Sequence, residues 1–228
     1  RRTRCGLAVI GEQITLIDAP PDLRSQLVRE GLNRVDNLVF THWHYDHCGG
    51  TGDVEFYVRL HRDEALPVYG SDHTLDVVSR TFWYMDDCLD QRPVGAGDTV
   101  TIDGVDFQPL EVTHAEGTVG WLLTGPGGGT CAYLPDTGPL PDATARRIDG
   151  VGTLIIGAPF WGRNWMPEDH LSMDESVDIA QRAQAGRSYF THMSMHHDTP
   201  VTNHELESYL QDRGRGLHLA YDGTRIEL

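Results

Sequence analysis

The stretch Thr41-His42-Trp43-His44-Tyr45-Asp46-His47 is the most informative part of the sequence. It follows residues 38–40, a short apolar run typical of a buried strand. Alternate side chains of an extended segment point the same way, so His42 and His44 can bind one ion together. The aspartate and the histidine that end the stretch fall on the following turn and can reach a second ion. Imidazole and carboxylate suit zinc, manganese and iron, so the stretch predicts a metal site rather than a histidine-rich surface loop.

Composition and charge narrow the class of protein and of substrate. The chain has 228 residues, 39% of them hydrophobic and 23% charged, which predicts one globular domain over residues 1–228. The formal net charge is −16, all cations are arginines, and no basic patch is evident. A long polyanion would meet a repulsive field, so we expect no nucleic-acid partner. A small anionic substrate is compatible, because two divalent ions add positive charge at the site itself.

The sequence also bears on compartment and assembly. No apolar run approaches the ~20 residues that cross a bilayer, and no secretory leader pattern stands at Arg1. The four cysteines are scattered, which argues against a zinc knuckle or a disulfide framework; they are Cys5, Cys48, Cys88 and Cys131. We therefore expect a cytoplasmic protein without a membrane partner, and a homodimer is left open.

Apolar runs and helix signals predict the secondary structure. Strands are predicted at Leu7–Ile10, Ile14–Ile17, 38–40, Val100–Ile102, 105–112, 119–123, 131–134, 154–156, 188–191 and 217–220. Helices are predicted at 20–30, 172–185 and 203–212, the second opening on a Ser172–Glu175 capping box. Strands early and late, with helices between them, favour a sheet-on-sheet core covered by helices.

The motif resembles the signature of the metallo-β-lactamase superfamily, Thr-His-x-His-x-Asp-His. Further residues match that family in order: Asp18 after a strand, His114 in Val-Thr-His, Asp136 in Leu-Pro-Asp-Thr-Gly, and His192 in Phe-Thr-His. The resemblance covers roughly residues 7–228. It implies an α/β fold, the αβ/βα sandwich, in which two packed mixed sheets are covered by helices.

The resemblance also implies a division of metal ligands. One divalent ion would be held by His42, His44 and His114, and the other by Asp46, His47 and His192. Asp136 would bridge the two ions together with a water, and Asp18 would support the ligands without binding an ion itself. Two ions about 3.5–4 Å apart acidify a shared water, which is hydrolytic chemistry. We expect zinc or manganese, with iron as a further candidate, and place Asp46 among the catalytic residues as well.

Residues beyond the ligands resemble the phosphodiesterase branch of the family, which holds tRNA 3′-end nucleases and a phosphoribosyl cyclic phosphate phosphodiesterase. The similar segments are 13–19, 67–70 and 168–172. The last contains His170, which the resemblance makes the acid that protonates the leaving oxygen, because an alkoxide is a poor leaving group. We therefore expect hydrolysis of a small phosphodiester, including a cyclic one. Arg163 and Asn164 nearby are candidates to bind phosphate, with a solvated loop as the equal alternative.

Some features depart from that branch, and other functions stay open. The cyclic phosphodiesterase carries an opening strand and a cysteine cluster that holds a structural zinc with a histidine near the last ligand. This sequence begins after that point, and His196 and His197 lie near the position of that histidine. Either that segment is missing or this protein lacks the zinc. The alternatives are a lactonase, a thioesterase, or a non-hydrolytic oxidoreductase or cofactor-biosynthesis member; seven intact ligands favour a hydrolase.

Overall fold

The computed structural model of the chain describes residues 2–193 and 200–228. The described chain forms two compact units. The first comprises residues 3–103 and 116–119, and the second comprises residues 104–115 and 120–228 together with Arg2. His196 and His197 lie outside the described residues, so their relation to a structural zinc stays a hypothesis.

The first unit is built on a mixed five-stranded sheet. Its strands are β1(Leu7–Ile10), β2(Ile14–Ile17), β3(Asn37–Val39), β4(Leu66–Gly70) and β5(Leu89–Pro93), in that spatial order. The pair β1–β2 is antiparallel, and the other neighbours are parallel. The helices are α1(Leu23–Glu30), α2(Tyr45–Cys48), α3(Glu55–His61) and α4(Asp72–Thr81), and strand β6(Val100–Ile102) follows. Gly31 ends α1 with a φ of 68°, a left-handed conformation that glycine adopts without strain.

The second unit contains a second mixed sheet. Its strands are β7(Val105–Glu111), β8(Val119–Thr124), β9(Thr130–Leu134), β10(Thr153–Gly157), β11(Arg187–Thr191) and β12(Leu217–Leu219). They lie in the order β12-β11-β10-β9-β8-β7. The four from β9 to β12 are parallel neighbours, whereas β8 is antiparallel to β9. The helices are α5(Asp142–Arg147), α6(Met173–Arg182) and α7(Asn203–Arg213), and both α6 and α7 begin with a capping box.

Each unit encloses its own apolar core. Leu38, Phe40, Leu66 and Val68 form the centre of the first, and Leu134, Leu154, Ile156 and Phe190 that of the second. Amphipathic helices bury one face on each sheet: α4 packs on β4 and β5, and α6 packs on β10 and β11. The prediction of two mixed sheets covered by helices is confirmed. In the described part of the chain, no helix combines the length and apolar character needed to cross a bilayer.

The predicted elements are confirmed with small shifts at their ends. The first predicted helix begins three residues later than expected, at Leu23, and the Asp22 carboxylate before it binds Arg4 instead of capping the helix. The predicted helix over 172–185 ends at Arg182. Sequence patterns did not predict the short helix α2, where a turn was expected, the elements between residues 50 and 99, or helix α5.

Candidate functional site

The first unit gathers five polar side chains into what we call the first cluster: Asp18, His42, His44, Asp46 and His47. Parallel strands β2 and β3 end side by side, and the backbone N–H of Asp18 donates to the carbonyl of Val39 at 2.8 Å. Asp18 has a φ of 67°, a conformation that non-glycine residues adopt at a cost. The turn aims its carboxylate back at the chain that follows β3.

Asp18 organises the cluster through three hydrogen bonds. Its carboxylate accepts from the Thr41 backbone N–H at 2.8 Å, from Thr41 Oγ1 at 2.8 Å, and from His47 Nδ1 at 2.8 Å. His47 is 0% exposed. Because a carboxylate only accepts, His47 must carry its proton on Nδ1, and the neutral ring then has its lone pair on Nε2. That is the tautomer that metal binding through Nε2 requires.

The first pair of histidines has the spacing of two ligands of one ion. His42 Nε2 and His44 Nδ1 lie 3.0 Å apart, and His42 Nδ1 lies 3.0 Å from Thr41 Oγ1. Two imidazole nitrogens at zinc distance in a tetrahedral site would be roughly 3.3 Å apart, close to the spacing observed. Asp46, whose side chain is 40% exposed, places Oδ2 3.6 Å from His47 Nε2. The donor set of this cluster therefore fits a divalent metal.

Cys48 directly follows the cluster but does not belong to the ligand set. Burial, reinforced by the negative charge of Asp18, raises the pKa of its thiol to about 11. The thiol stays protonated at neutral pH and donates to the carbonyl of Trp43 at 3.0 Å. All four cysteines are free and buried, in line with reduced thiols.

The second unit gathers the second cluster: His114, Asp136, His170 and His192. His114 comes three residues after β7, Asp136 two after β9, and His192 directly after β11. The carboxyl ends of the parallel strands β9 and β11 lie at the same edge of the sheet. His192 has a φ of 54°, a second strained residue at a functional position.

Asp136 is the centre of the second cluster. Its side chain is 2% exposed; Oδ1 lies 3.3 Å from His170 Nδ1, and Oδ2 lies 3.3 Å from His192 Nε2. His114, Asp136 and His170 offer ligand atoms that all lie within 4.8 Å of one another. A carboxylate is costly to bury without positive charge, so these surroundings fit a cation.

His114 is prepared to be a neutral ligand. Its Nδ1 donates to the backbone carbonyl of Asp169 at 2.9 Å, which leaves the lone pair of the neutral ring on Nε2. Burial lowers the pKa of His114, an effect that the charge of Asp136 partly offsets. The ring is therefore uncharged at neutral pH, as a metal ligand must be.

Every predicted metal ligand, together with Asp18 and His170, lies in one of the two clusters, whereas the predicted phosphate-binding candidates Arg163 and Asn164 lie outside both. Two further roles were not predicted. Thr41 joins Asp18 to His42, a role whose only signal was its place in the motif. Asn164, predicted as a phosphate-binding candidate, instead uses its amide within the chain, donating to the His170 carbonyl at 2.8 Å and to Glu175 at 2.9 Å.

Comparisons with known proteins agree with this geometry. The family model of the beta-lactamase superfamily domain matches residues 14–193. The crystal structure of a new diphosphatase from the PhnP family is 30% identical, has a TM-score of 0.84, and is matched over 100% of this chain and 85% of that chain. Zinc-bound PqqB from Methylobacterium extorquens is 19% identical, has a TM-score of 0.82, and is matched over 100% of this chain and 88% of that chain. At this level of identity the similarity supports only the fold of this chain.

One curated relative is much longer than this chain. An octanoyltransferase from Porphyromonas gingivalis (strain ATCC BAA-308 / W83) is 26% identical over 240 residues, which cover 98% of this chain and 44% of that protein. The chain thus spans less than half the length of that relative. The family match covers most of the chain and includes the motif from Thr41 to His47. The chain therefore belongs to the beta-lactamase superfamily and has the metallo-β-lactamase fold.

Proposed function

We propose that the chain is a phosphodiesterase that hydrolyses small phosphodiesters, including cyclic ones, with two divalent metal ions. Its family and its structural neighbours indicate a metal-dependent hydrolase. The 30% identical neighbour is named a diphosphatase, which supports chemistry at phosphorus. The proposed ligands are those carried over from the family pattern: His42, His44, Asp46, His47, His114, Asp136 and His192. Zinc or manganese is the proposed metal, with iron as a further candidate.

The observation that carries the proposal is the place of His170. Its Nδ1 lies 3.3 Å from Asp136, beside His114, and its side chain is 16% exposed. The imidazole can therefore be reached from solvent while it lies among the proposed ligands. A proton donor at this place is what a phosphodiester needs, because its alkoxide leaving group departs poorly without a proton. A lactone or a thioester makes a weaker demand for such a donor.

Each residue has a defined task in this proposal. Divalent ions held by the proposed ligands would supply Lewis acidity, which activates water and stabilises negative charge on the phosphate oxygens. His170 gives its proton to the leaving oxygen. Asp46, partly exposed, accepts a hydrogen bond from the attacking water and orients it. Asp18 and the Asp169 carbonyl keep His47 and His114 in the tautomer that presents Nε2.

The test compares substrates of one protein preparation loaded with zinc or manganese. We expect turnover of bis-p-nitrophenyl phosphate and of an alkyl phosphodiester, and little turnover of a lactone or a thioester. Hydrolysis of a diphosphate is the second candidate, favoured by the name of the 30% identical neighbour. Turnover of the lactone or the thioester alone would overturn the proposal.

A variant separates the role of His170 from ligand loss. His170→Ala should keep its metals and lose about 10²–10⁴-fold in rate on the alkyl ester, the effect of one lost proton donor. The loss should be small on the p-nitrophenyl ester, because that leaving group departs without a proton. His204→Ala, an exposed histidine in the first turn of α7, is the matched control and should change neither rate. Equal losses on both esters, or loss of metal, would contradict the acid role.

The proposal also covers the partner, the location and the assembly of the chain. A small anionic molecule is the proposed partner, with no nucleic acid and no membrane. A cytoplasmic location fits this substrate, and a homodimer is left open.

A further inference from the structure

The side chain of Asn164 makes an unusually complete set of hydrogen bonds. Its Oδ1 accepts from the backbone N–H of Met166 at 2.9 Å. Its Nδ2 donates one proton to the His170 carbonyl at 2.8 Å and the other to Glu175 Oε2 at 2.9 Å. One partner only donates and the other two only accept, so these contacts fix the orientation of the amide. Among uncharged side chains, only an amide combines an acceptor with two donors on one planar group.

These bonds hold the turn that carries two residues of the second cluster. The backbone N–H groups of Asp169 and His170 both donate to the Met166 carbonyl, at 3.1 Å and 2.9 Å. The Asp169 carbonyl in turn accepts from His114 Nδ1. Asn164 therefore holds the turn on both sides of the Asp169–His170 peptide, at the Met166 N–H before it and at the His170 carbonyl after it. The same peptide determines the tautomer of His114 and the position of His170 beside Asp136.

Glu175 anchors the amide to helix α6. Its Oε2 accepts from Ser172 N and Ser172 Oγ, both at 2.7 Å, in addition to Asn164. Burial would raise the pKa of this carboxyl, but hydrogen bonds from Ser172 and Asn164 outweigh it, so the pKa of Glu175 lies below its usual value. The carboxylate is therefore charged at neutral pH, and its bond to Asn164 is charge-assisted and strong.

We propose that Asn164, anchored by Glu175, is a positioning residue that holds the Asp169–His170 peptide so that His114 presents Nε2 and His170 stays beside Asp136. The part that concerns His170 rests on the proposed function. The part that concerns His114 does not, because it predicts metal affinity and ring geometry without reference to a substrate. Loss of a residue that supports a metal ligand in this way typically costs 10–100-fold in affinity or activity.

The chain contains its own control for the capping role of Glu175. Helix α7 begins with the same box, in which Glu205 Oε2 accepts from Thr202 N and Thr202 Oγ1, both at 2.7 Å. The two boxes therefore match in geometry, and the bond from Asn164 distinguishes the one at α6. A change of Glu205 should reproduce the helix-capping loss alone.

The experiment compares Asn164→Asp, Asn164→Ala and Glu175→Gln with the control Glu205→Gln, all in the zinc-loaded chain. Asn164→Asp keeps the size of the side chain but turns an oxygen toward the His170 carbonyl and Glu175, so the contact becomes repulsive. The measurements are zinc affinity against a competing chelator, the imidazole N–H resonance of His114, the melting temperature, and kcat and KM on an alkyl phosphodiester.

We expect both Asn164 variants to bind zinc 10–100-fold more weakly and to lose the slowly exchanging His114 N–H resonance, with Asn164→Asp affected more. In these variants kcat should fall while KM stays within about twofold, because the chemistry and not the binding of substrate is disturbed. Glu205→Gln should lower the melting temperature like Glu175→Gln but leave zinc affinity and the resonance unchanged. Asn164→Ala removes contacts without adding repulsion, so it keeps the test open if Asn164→Asp does not fold.

Two results would overturn the proposal. One is an unchanged His114 resonance and zinc affinity in both Asn164 variants. The other is an equal loss in Glu205→Gln, which would mean that only helix stability is measured. If the starting protein hydrolyses no phosphodiester while the zinc affinity and the resonance respond as expected, the proposed function fails and the positioning role of Asn164 toward His114 stands.

Discussion

The substitution Asp18→Asn tests how the first cluster prepares its ligands. Asp18 is 1% exposed and accepts three hydrogen bonds, two from Thr41 and one from His47. Asparagine has nearly the same shape, so Oδ1 can still accept from the Thr41 N–H, and the Thr41 hydroxyl can rotate to accept a bond. The new NH₂ group, however, faces His47 Nδ1, and two donors cannot pair.

The magnitude follows from how that conflict is relieved. If His47 kept its proton on Nδ1, the buried donor would be left unsatisfied, at a cost of about 1–3 kcal/mol in stability. If His47 moved the proton to Nε2, the hydrogen bond would be restored and the loss of stability would be small. The proton would then occupy the atom that binds metal. We expect the second outcome in the metal-free protein, so zinc affinity should fall 10–100-fold, or about 1.4–2.7 kcal/mol.

The assay measures zinc affinity by chelator competition and stability by thermal melting of the metal-free protein. Asp36→Asn is the matched control, because Asp36 also accepts a backbone N–H, from Ile14 at 2.7 Å, and lies outside the first cluster. It should leave zinc affinity unchanged. An unchanged zinc affinity in Asp18→Asn would refute the tautomer argument, and so would an equal loss in Asp36→Asn.

Three further predictions follow from the packing, the helix caps and the charge. A Cβ added at Gly138 would lie 2.7 Å from the carbonyl carbon of Glu168 and would collide with that carbonyl group. Gly138→Ala should therefore destabilise the fold by about 1–3 kcal/mol in denaturant melts. Gly127→Ala is the control and should be nearly neutral, because no atom lies within 4 Å of a Cβ added there. Burial opposes ionisation of Glu175, but its hydrogen bonds outweigh burial and lower its pKa, and hydrogen bonds also lower the pKa of Glu205. Both carboxylates therefore stabilise the fold above about pH 4.3, and this stabilisation is lost as the pH falls through their lowered folded-state pKa values. Acid melts should therefore show a smaller pH dependence when either glutamate is replaced by glutamine, and an identical dependence would count against the caps. The net charge of −16 repels a long polyanion, so a tRNA precursor should be processed little, and the hydrolysis rate of a small phosphodiester should depend only weakly on salt concentration. Efficient trimming of a tRNA precursor would contradict the proposed substrate class.

Local patterns predicted the elements that carry the chemistry. The spacing of histidines and aspartate in the motif that begins at Thr41 predicted a metal site, because ligands of one ion must lie at restricted distances and angles. The capping box at Ser172 likewise marked the start of α6, since both of its partners lie within one turn. These signals involve residues close in sequence, so a single chain is sufficient to show them.

The elements between residues 50 and 99 lacked such signals. Helix α3 leaves Phe56 and Leu60 on its exposed side, at 68% and 70% exposure, so its apolar residues do not mark a buried face. Strand β4 contains Pro67, which argues against a strand from sequence, and β5 is largely polar. Tertiary packing, rather than local pattern, forms these elements.

The role of Asn164 was also beyond local reasoning. Its partners His170 and Glu175 lie 6 and 11 residues away, and the contact depends on how the turn folds against the start of α6. The tautomer of His114 depends on the Asp169 carbonyl, which is 55 residues distant. The sequence predicted the ligand candidates and the supporting role of Asp18, but not the contacts of Asn164 and the Asp169 carbonyl that orient His170 and His114.

The most direct test of the account is the number of metal ions that the chain binds. The chain should be loaded with zinc, freed of excess by gel filtration, and measured by native mass spectrometry alongside Asp136→Ala. We expect two ions per chain in the unaltered protein and a lower number with no phosphodiester hydrolysis in the variant, because Asp136 is proposed to bridge both ions. A single ion, or two ions retained in Asp136→Ala, would contradict the proposed two-metal site.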